Sequence, residues 1–137
     1  MRRPGRRAAL LALILAGAGA CLDSSEPVAG LLKVVLTKPA GADGAIMFTL
    51  AGPSAPAEPS AAAELVFWGP PFAAANPVKV LLTGTLANGQ TILTFAVNDV
   101  NKAGQYAATI LQVAAGDGTY AQRNVGANSG YALKVTK

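Results

Sequence analysis

From Gly30 onward, apolar residues recur at every second position, and that period constrains what the chain can become. Leu32, Val34 and Leu36 alternate with Lys33, Val35 and Thr37; Ile46, Phe48 and Leu50 alternate with Met47 and Thr49. Successive side chains on an extended strand point to opposite faces, so each run has one face to bury. Between the two lies Pro39-Ala40-Gly41-Ala42-Asp43-Gly44, whose residue types are those of turns. The two runs are therefore expected to be a hairpin or otherwise adjacent strands.

The rest of the body reads in the same way. Ala51 to Ala63 carries Pro53, Pro56 and Pro59, which cannot donate to a central ladder, so an exposed loop of extended character is expected. Leu65 to Trp68 is a short strand stopped by Gly69-Pro70-Pro71, and Ala73 to Asn76 could form a helical turn closed by Pro77. Val78 to Leu86 and Gln90 to Val97 flank Asn88-Gly89, the preferred pair for a two-residue hairpin turn. In the returning strand Leu93, Phe95 and Val97 should face inward, with Ile92, Thr94 and Ala96 opposite. Outward apolar residues such as Val35 and Ile92 suggest that both faces of a sheet are partly covered, by a dimer partner or by long loops. Asn98 to Gly104 connects to a strand over Gln105 to Ala114, turned by Gly116-Asp117-Gly118. Thr119 to Arg123 and Tyr131 to Thr136 complete seven or eight strands without an amphipathic helix. The expected fold is an all-β antiparallel sandwich spanning residues 30–137.

Charge excludes one class of partner. Of eleven Lys and Arg residues, Arg2, Arg3, Arg6 and Arg7 lie at the extreme N-terminus. The remaining seven equal the seven Asp and Glu residues, all of which follow Cys21. Beyond that cysteine the formal side-chain charge is zero and no cluster of cations could neutralise phosphates, so no nucleic-acid partner is expected.

The N-terminal stretch is of another kind. A cationic segment, Met1 to Arg7, precedes an apolar run from Ala8 to Ala16 and then small residues up to Ala20. That order is the order of a secretory signal peptide, expected over residues 1–20. From Ala8 to Ala20 is too short for the roughly 20 residues that span a bilayer. Ala18-Gly19-Ala20-Cys21 resembles the lipobox of bacterial lipoproteins, with Ala18 where Leu is more common and Gly19 where Ala or Ser is more common. The resemblance implies diacylglyceryl transfer to the Cys21 thiol, cleavage before Cys21, and a membrane as partner through the attached lipid. Each buried CH₂ contributes about 0.8 kcal/mol, so two or three acyl chains anchor stably. Residues 21–29 would then be a lipidated tether. Leu22, not Asp, follows the cysteine, and the resemblance then favours the outer membrane if the host has two.

A second resemblance is confined to Lys102-Ala103-Gly104-Gln105-Tyr106-Ala107-Ala108. It is similar to the tyrosine-corner segment of immunoglobulin-like domains, in which Gly or Ala precedes Tyr by two and Cys follows by two. Gly104 and Tyr106 match, Ala108 replaces the Cys, and Lys102 replaces the usual Asp. The resemblance implies an immunoglobulin-like sandwich without a disulfide.

Chemistry is limited by what is missing. The chain has no His and one Cys, so neither a nucleophile–His–acid triad nor a structural disulfide can be built. No metal, cofactor or catalytic residue is expected. Among the acids, Glu58, Glu64 and Asp99 lie outside the tether and the Gly turns, and a glycosidase-like pair would require two of them to face each other. Asn98-Asp99-Val100-Asn101 offers oxygens to a cation such as calcium, but six to eight are needed; an Asx-type turn accounts better for the pattern. Trp68, beside Phe67 and near Phe72, is the candidate ligand platform, since aromatic faces stack on sugar rings. The plainer expectation is that alternation sends one of Phe67 and Trp68 into the core and leaves the other at a strand edge. The function expected from sequence is a membrane-anchored envelope lipoprotein whose non-catalytic sandwich binds or supports an envelope protein. The alternative is a surface carbohydrate-binding module using Trp68 and Phe72 on a glycan.

Overall fold

The computed structural model describes residues 26–69 and 74–137. Cys21 and Phe72 lie outside the described residues, as do the signal peptide, the lipobox and the first part of the tether. Eight strands form: β1 (Gly30–Thr37), β2 (Asp43–Ala51), β3 (Ala57–Ala61), β4 (Leu65–Trp68), β5 (Val78–Leu86), β6 (Thr91–Val97), β7 (Ala107–Ala115) and β8 (Ala132–Thr136). They make two four-stranded sheets, in the orders β3-β6-β1-β8 and β4-β5-β2-β7, and every pairing is antiparallel. The chain is an all-β sandwich with one shared core.

The period-two reading places the core correctly. Leu32, Val34 and Leu36 from β1 are fully buried, with Ile46, Phe48 and Leu50 from β2 and Val80 and Leu82 from β5. Ile92, adjacent to Leu93, is also fully buried. Alternation alone would put one of the two outside. The β1–β6 register slips between Val34 and Val35, which face Leu93 and Thr91, and leaves Ile92 as an extra residue in β6. A bulge of this kind re-aims a side chain, so neighbouring residues can both be buried.

Two expected hairpins do not exist. β1 and β2 lie in different sheets, and so do β5 and β6. The first connection crosses the sandwich because Lys38 is folded into it: its ammonium donates to the carbonyls of Pro39 at 2.8 Å and Gly41 at 2.7 Å. The second is captured by β1. Gly89 N–H donates to the Leu36 carbonyl (2.7 Å), Leu36 N–H to the Gln90 carbonyl (2.9 Å), and Lys38 N–H to Asn88 Oδ1 (3.1 Å). The Asn-Gly pair does turn, with Gly89 at a φ of 78°, but its exposed polar groups bond to another strand and β6 leaves in the opposite sheet. Of all ladder pairings only β4–β5 joins strands consecutive in sequence.

Smaller departures have similarly local causes. The expected loop over 51–63 contains β3, an edge strand, where Pro59 is tolerated because one side of the strand has no ladder to supply. Thr119 to Arg123 is not a strand. It touches β7 through one bridge, Ala114 to Gln122, because Tyr120 takes a positive φ of 54° that interrupts extension. Residues 74–77 are bends, not helix.

In immunoglobulin constant-type sandwiches strands B and E pair in one sheet, and C and F in the other. β1–β6 and β2–β7 stand in the same relation, and β3 flanks β6 as D flanks E. The last strand is placed differently: β8 lies beside β1, whereas G lies beside F. Tyr106 is buried, stacks obliquely on Phe95 at 5.7 Å between ring centroids, and shares a 2.7 Å hydrogen bond with the Ser54 hydroxyl. Its partner is thus a side chain in the loop after β2, not backbone a few residues upstream as in the tyrosine corner. Gly52 makes room, since a Cβ there would sit 2.1 Å from the ring.

Candidate functional site

Both outer faces carry lysines, Lys33 and Lys134 on the first sheet and Lys79 on the second. On the second, register aligns Trp68, Leu81, Met47 and Gln112 in one row across four strands, and Val66, Thr83, Ala45 and Ala114 in the next. Alternation along β4 sends Leu65 into the core and half-buries Phe67 against it. Val66 and Trp68 face out, with 55% of Trp68 exposed. The plainer expectation for the aromatic pair therefore describes β4. Trp68 is held on the sheet by its indole N–H, which donates to the Thr83 hydroxyl.

Beside this row is a cleft of about 670 Å³, whose lining includes Ala45, Leu81, Thr83, Leu86, Gly118 and Tyr120. Tyr120 is 75% exposed and stands at its rim. Its segment is fixed locally. Asp117 Oδ1 accepts from Thr119 N–H (3.0 Å) and from the Thr119 hydroxyl, and Ala115 N–H donates to the Ala121 carbonyl (2.8 Å). Those bonds from Thr119 hold the Asp117 carboxyl below the usual range. On the other wall Gly84, at a φ of 136°, lets β4 approach: a Cβ there would lie 2.3 Å from the Glu64 carbonyl.

Under the cleft is the one densely charged cluster among the described residues. Asp43 is buried. It accepts from Arg123 Nε–H at 2.9 Å and from the Tyr131 hydroxyl at 2.7 Å, and its Oδ2 lies 3.3 Å from Lys38 Nζ. Burial pushes its carboxyl up, but the bonds from Tyr131, Arg123 and Lys38 together outweigh that and hold it below the usual range. Burial and the adjacent carboxylate push the Tyr131 phenol up to about 12, and the bond to Asp43 raises Arg123 further. A carboxylate whose two oxygens are taken by three donors is a brace, not a free base. It ties the β1–β2 crossing, the segment after β7 and the approach to β8 together.

Glu64 and Asp99 do not converge. Glu64 Oε2 accepts from Gln90 Nε2 at 3.4 Å, next to the start of β6, whereas Asp99 lies beyond that strand's other end. A seven-residue strand separates them by roughly 20 Å. Asp99 Oδ1 accepts from Asn101 N–H at 3.1 Å and Val28 N–H at 3.2 Å, which is the Asx-type turn. Among the described residues no three acidic, His or Cys side chains group as metal ligands, and no helix is long and apolar enough to cross a membrane.

Sequence reasoning identified Trp68 but not Tyr120. A single Tyr between Gly turns carries no mark of exposure; only its positive φ and its place at the cleft rim distinguish it. No protein-family model matches the chain, and the searches of curated proteins and of solved structures returned no match.

Proposed function

We propose that this chain is a lipid-anchored, non-catalytic binding module of a bacterial envelope, held through Cys21 and presenting the outer face of the β4-β5-β2-β7 sheet to an envelope protein. The observation that carries this reading is polarity along the strands. The chain enters at one end, where Val28 is fixed to Asp99 and Val100. The cleft is built from the start of β2, the end of β5 and the segment after β7, all at the other end. β1 alone separates those ends by about 25 Å. An anchor on Cys21 would thus leave the cleft and Tyr120 pointing away from the bilayer. The lipobox resemblance supplies the anchor, and Leu22 favours the outer membrane.

Intact-mass spectrometry of the membrane-extracted protein, beside a Cys21→Ala variant, tests the anchor. A mature N-terminus at Cys21 carrying diacylglyceryl mass supports it; an unmodified mass in the soluble fraction sinks it.

A second reading, carbohydrate binding, is favoured by one specific feature. Trp68 and Tyr120 are exposed aromatics on one sheet face, with the hydroxyl of Thr83 between Trp68 and the cleft. Ring stacking plus a hydroxyl is the chemistry that a neutral sugar meets. Trp68→Ala and Tyr120→Ala should each abolish retention on immobilised envelope glycans with an unchanged far-ultraviolet spectrum. Unaltered retention dismisses the face as a glycan site.

A further inference from the structure

We propose that two copies of this chain associate edge to edge through the first half of β7, forming a continuous eight-stranded sheet across a two-fold axis. β7 closes one side of the second sheet, and among the described residues no strand pairs with its far side. The segment after it covers only the last third: Ala115 N–H donates to the Ala121 carbonyl and Arg123 N–H to the Val113 carbonyl. Ala107 to Leu111 has no backbone partner beyond β2 among the described residues. β8, which could have lain there, pairs with β1 instead. It leaves a shallow groove of about 320 Å³ between the sheets, lined by Ala108, Ile110, Val125 and Leu133 among others.

Natural sheets blunt their open edges with charge, proline or shortness. Three of the four edges here do so. β3 carries Glu58 and Pro59, β4 has only four residues, and β8 carries Lys134 with Lys137 just after it. β7 has nine residues and no ionisable side chain or proline. This absence also suits a second copy as the occupant. In two-fold antiparallel pairing the residue on the axis faces its own copy, so a self-pairing edge centred on a charged residue would oppose like charges. β7 has no charged residue to place on the axis; on β8 the same pairing centred on Lys134 would bring lysines together. Centred on Thr109, the pairing spans the uncovered residues 107–111. It opposes Thr109 to its own copy, a favourable cross-strand pair, and covers Leu111, which is 39% exposed. The zero net side-chain charge after Cys21 adds no repulsion between copies.

The test uses the full chain purified in detergent. Sedimentation equilibrium should give a protein mass of two chains, and Thr109→Lys should reduce it to one while the strand signal in circular dichroism is retained. A one-chain mass for the unaltered protein overturns the proposal. In case the lysine variant fails to fold, Thr109→Cys and Lys134→Cys are each treated with a bifunctional thiol reagent, against the unaltered chain, whose one cysteine is Cys21. Cross-linked self-dimer at position 109, above that of Lys134→Cys and of the unaltered chain, supports β7 pairing. Equal yields at 109 and 134, or an adduct at 109 with a different protein, overturn it.

Discussion

Asp43 is the residue on which most of the irregular chain depends. Removing its charge by Asp43→Asn leaves the Lys38 ammonium buried without its counterion. The expected loss is about 3 kcal/mol, within the range for breaking a buried pair by one partner, read from urea unfolding; a loss below about 1 kcal/mol would contradict the brace. The pH dependence follows in sign. A carboxyl held below its ordinary value in the fold adds stability that is present above the unfolded value and is lost as pH falls through the lowered one. Asp43→Asn should therefore flatten the acid limb of the stability profile. Tyr131 acts at the other extreme. Raised from 10.0 to about 12, it contributes stability present below pH 10.0 that is lost as pH rises towards 12. Tyr131→Phe should remove that alkaline loss, measured by the same titration. None of this was legible in the sequence, where Asp43 read as a turn acid: its three partners lie 5 residues before it and 80 and 88 after it.

At the scale of elements, most strands followed from period and turn chemistry, β3 and the segment from Thr119 to Arg123 excepted, and strand pairing did not. Asn88-Gly89 is the strongest local hairpin signal in the chain, yet β5 and β6 part into different sheets. A turn propensity is satisfied by any reversal of direction; which strand takes up the flanking hydrogen bonds depends on what else is near, here the end of β1. The β6 bulge is the same lesson in one residue. Ile92 is buried only because the ladder slips, so Ile92→Ala should cost about 2–5 kcal/mol as for other core truncations. Leu31→Ala, at an exposed position of β1, should change stability by about 0.5 kcal/mol or less. Chemical denaturation of the two variants checks this, and equal effects would place Ile92 outside the core.

Across the whole molecule, nearly every ladder joins segments distant in sequence, β1 with β8 at the extreme. Loop closure must precede such pairings, so folding is expected in milliseconds to seconds, as for other sandwiches dominated by non-local contacts. Stopped-flow refolding monitored by Trp68 fluorescence measures it; a microsecond phase carrying the full amplitude would be incompatible with this topology. The same topology puts the N-terminal entry and the cleft at opposite ends, the arrangement on which the proposed anchoring draws.

By itself, the sequence determined most of the extended segments and the buried faces of the regular ones, because a period of two is written locally and every strand must hide one side. β3, the irregular segment from Thr119 to Arg123 and the bulged Ile92 escaped it. Alternation also required one of Phe67 and Trp68 to face out of β4 without saying which; the fold exposes Trp68. Only the tertiary structure decided which strand lies beside which, that Tyr120 stands over a cleft, that three donors converge on Asp43, and that β7 keeps half an edge uncovered. Each of these is a relation between segments far apart in the chain. Hydrogen-bond partners and close approaches of that kind leave no periodic trace in either segment.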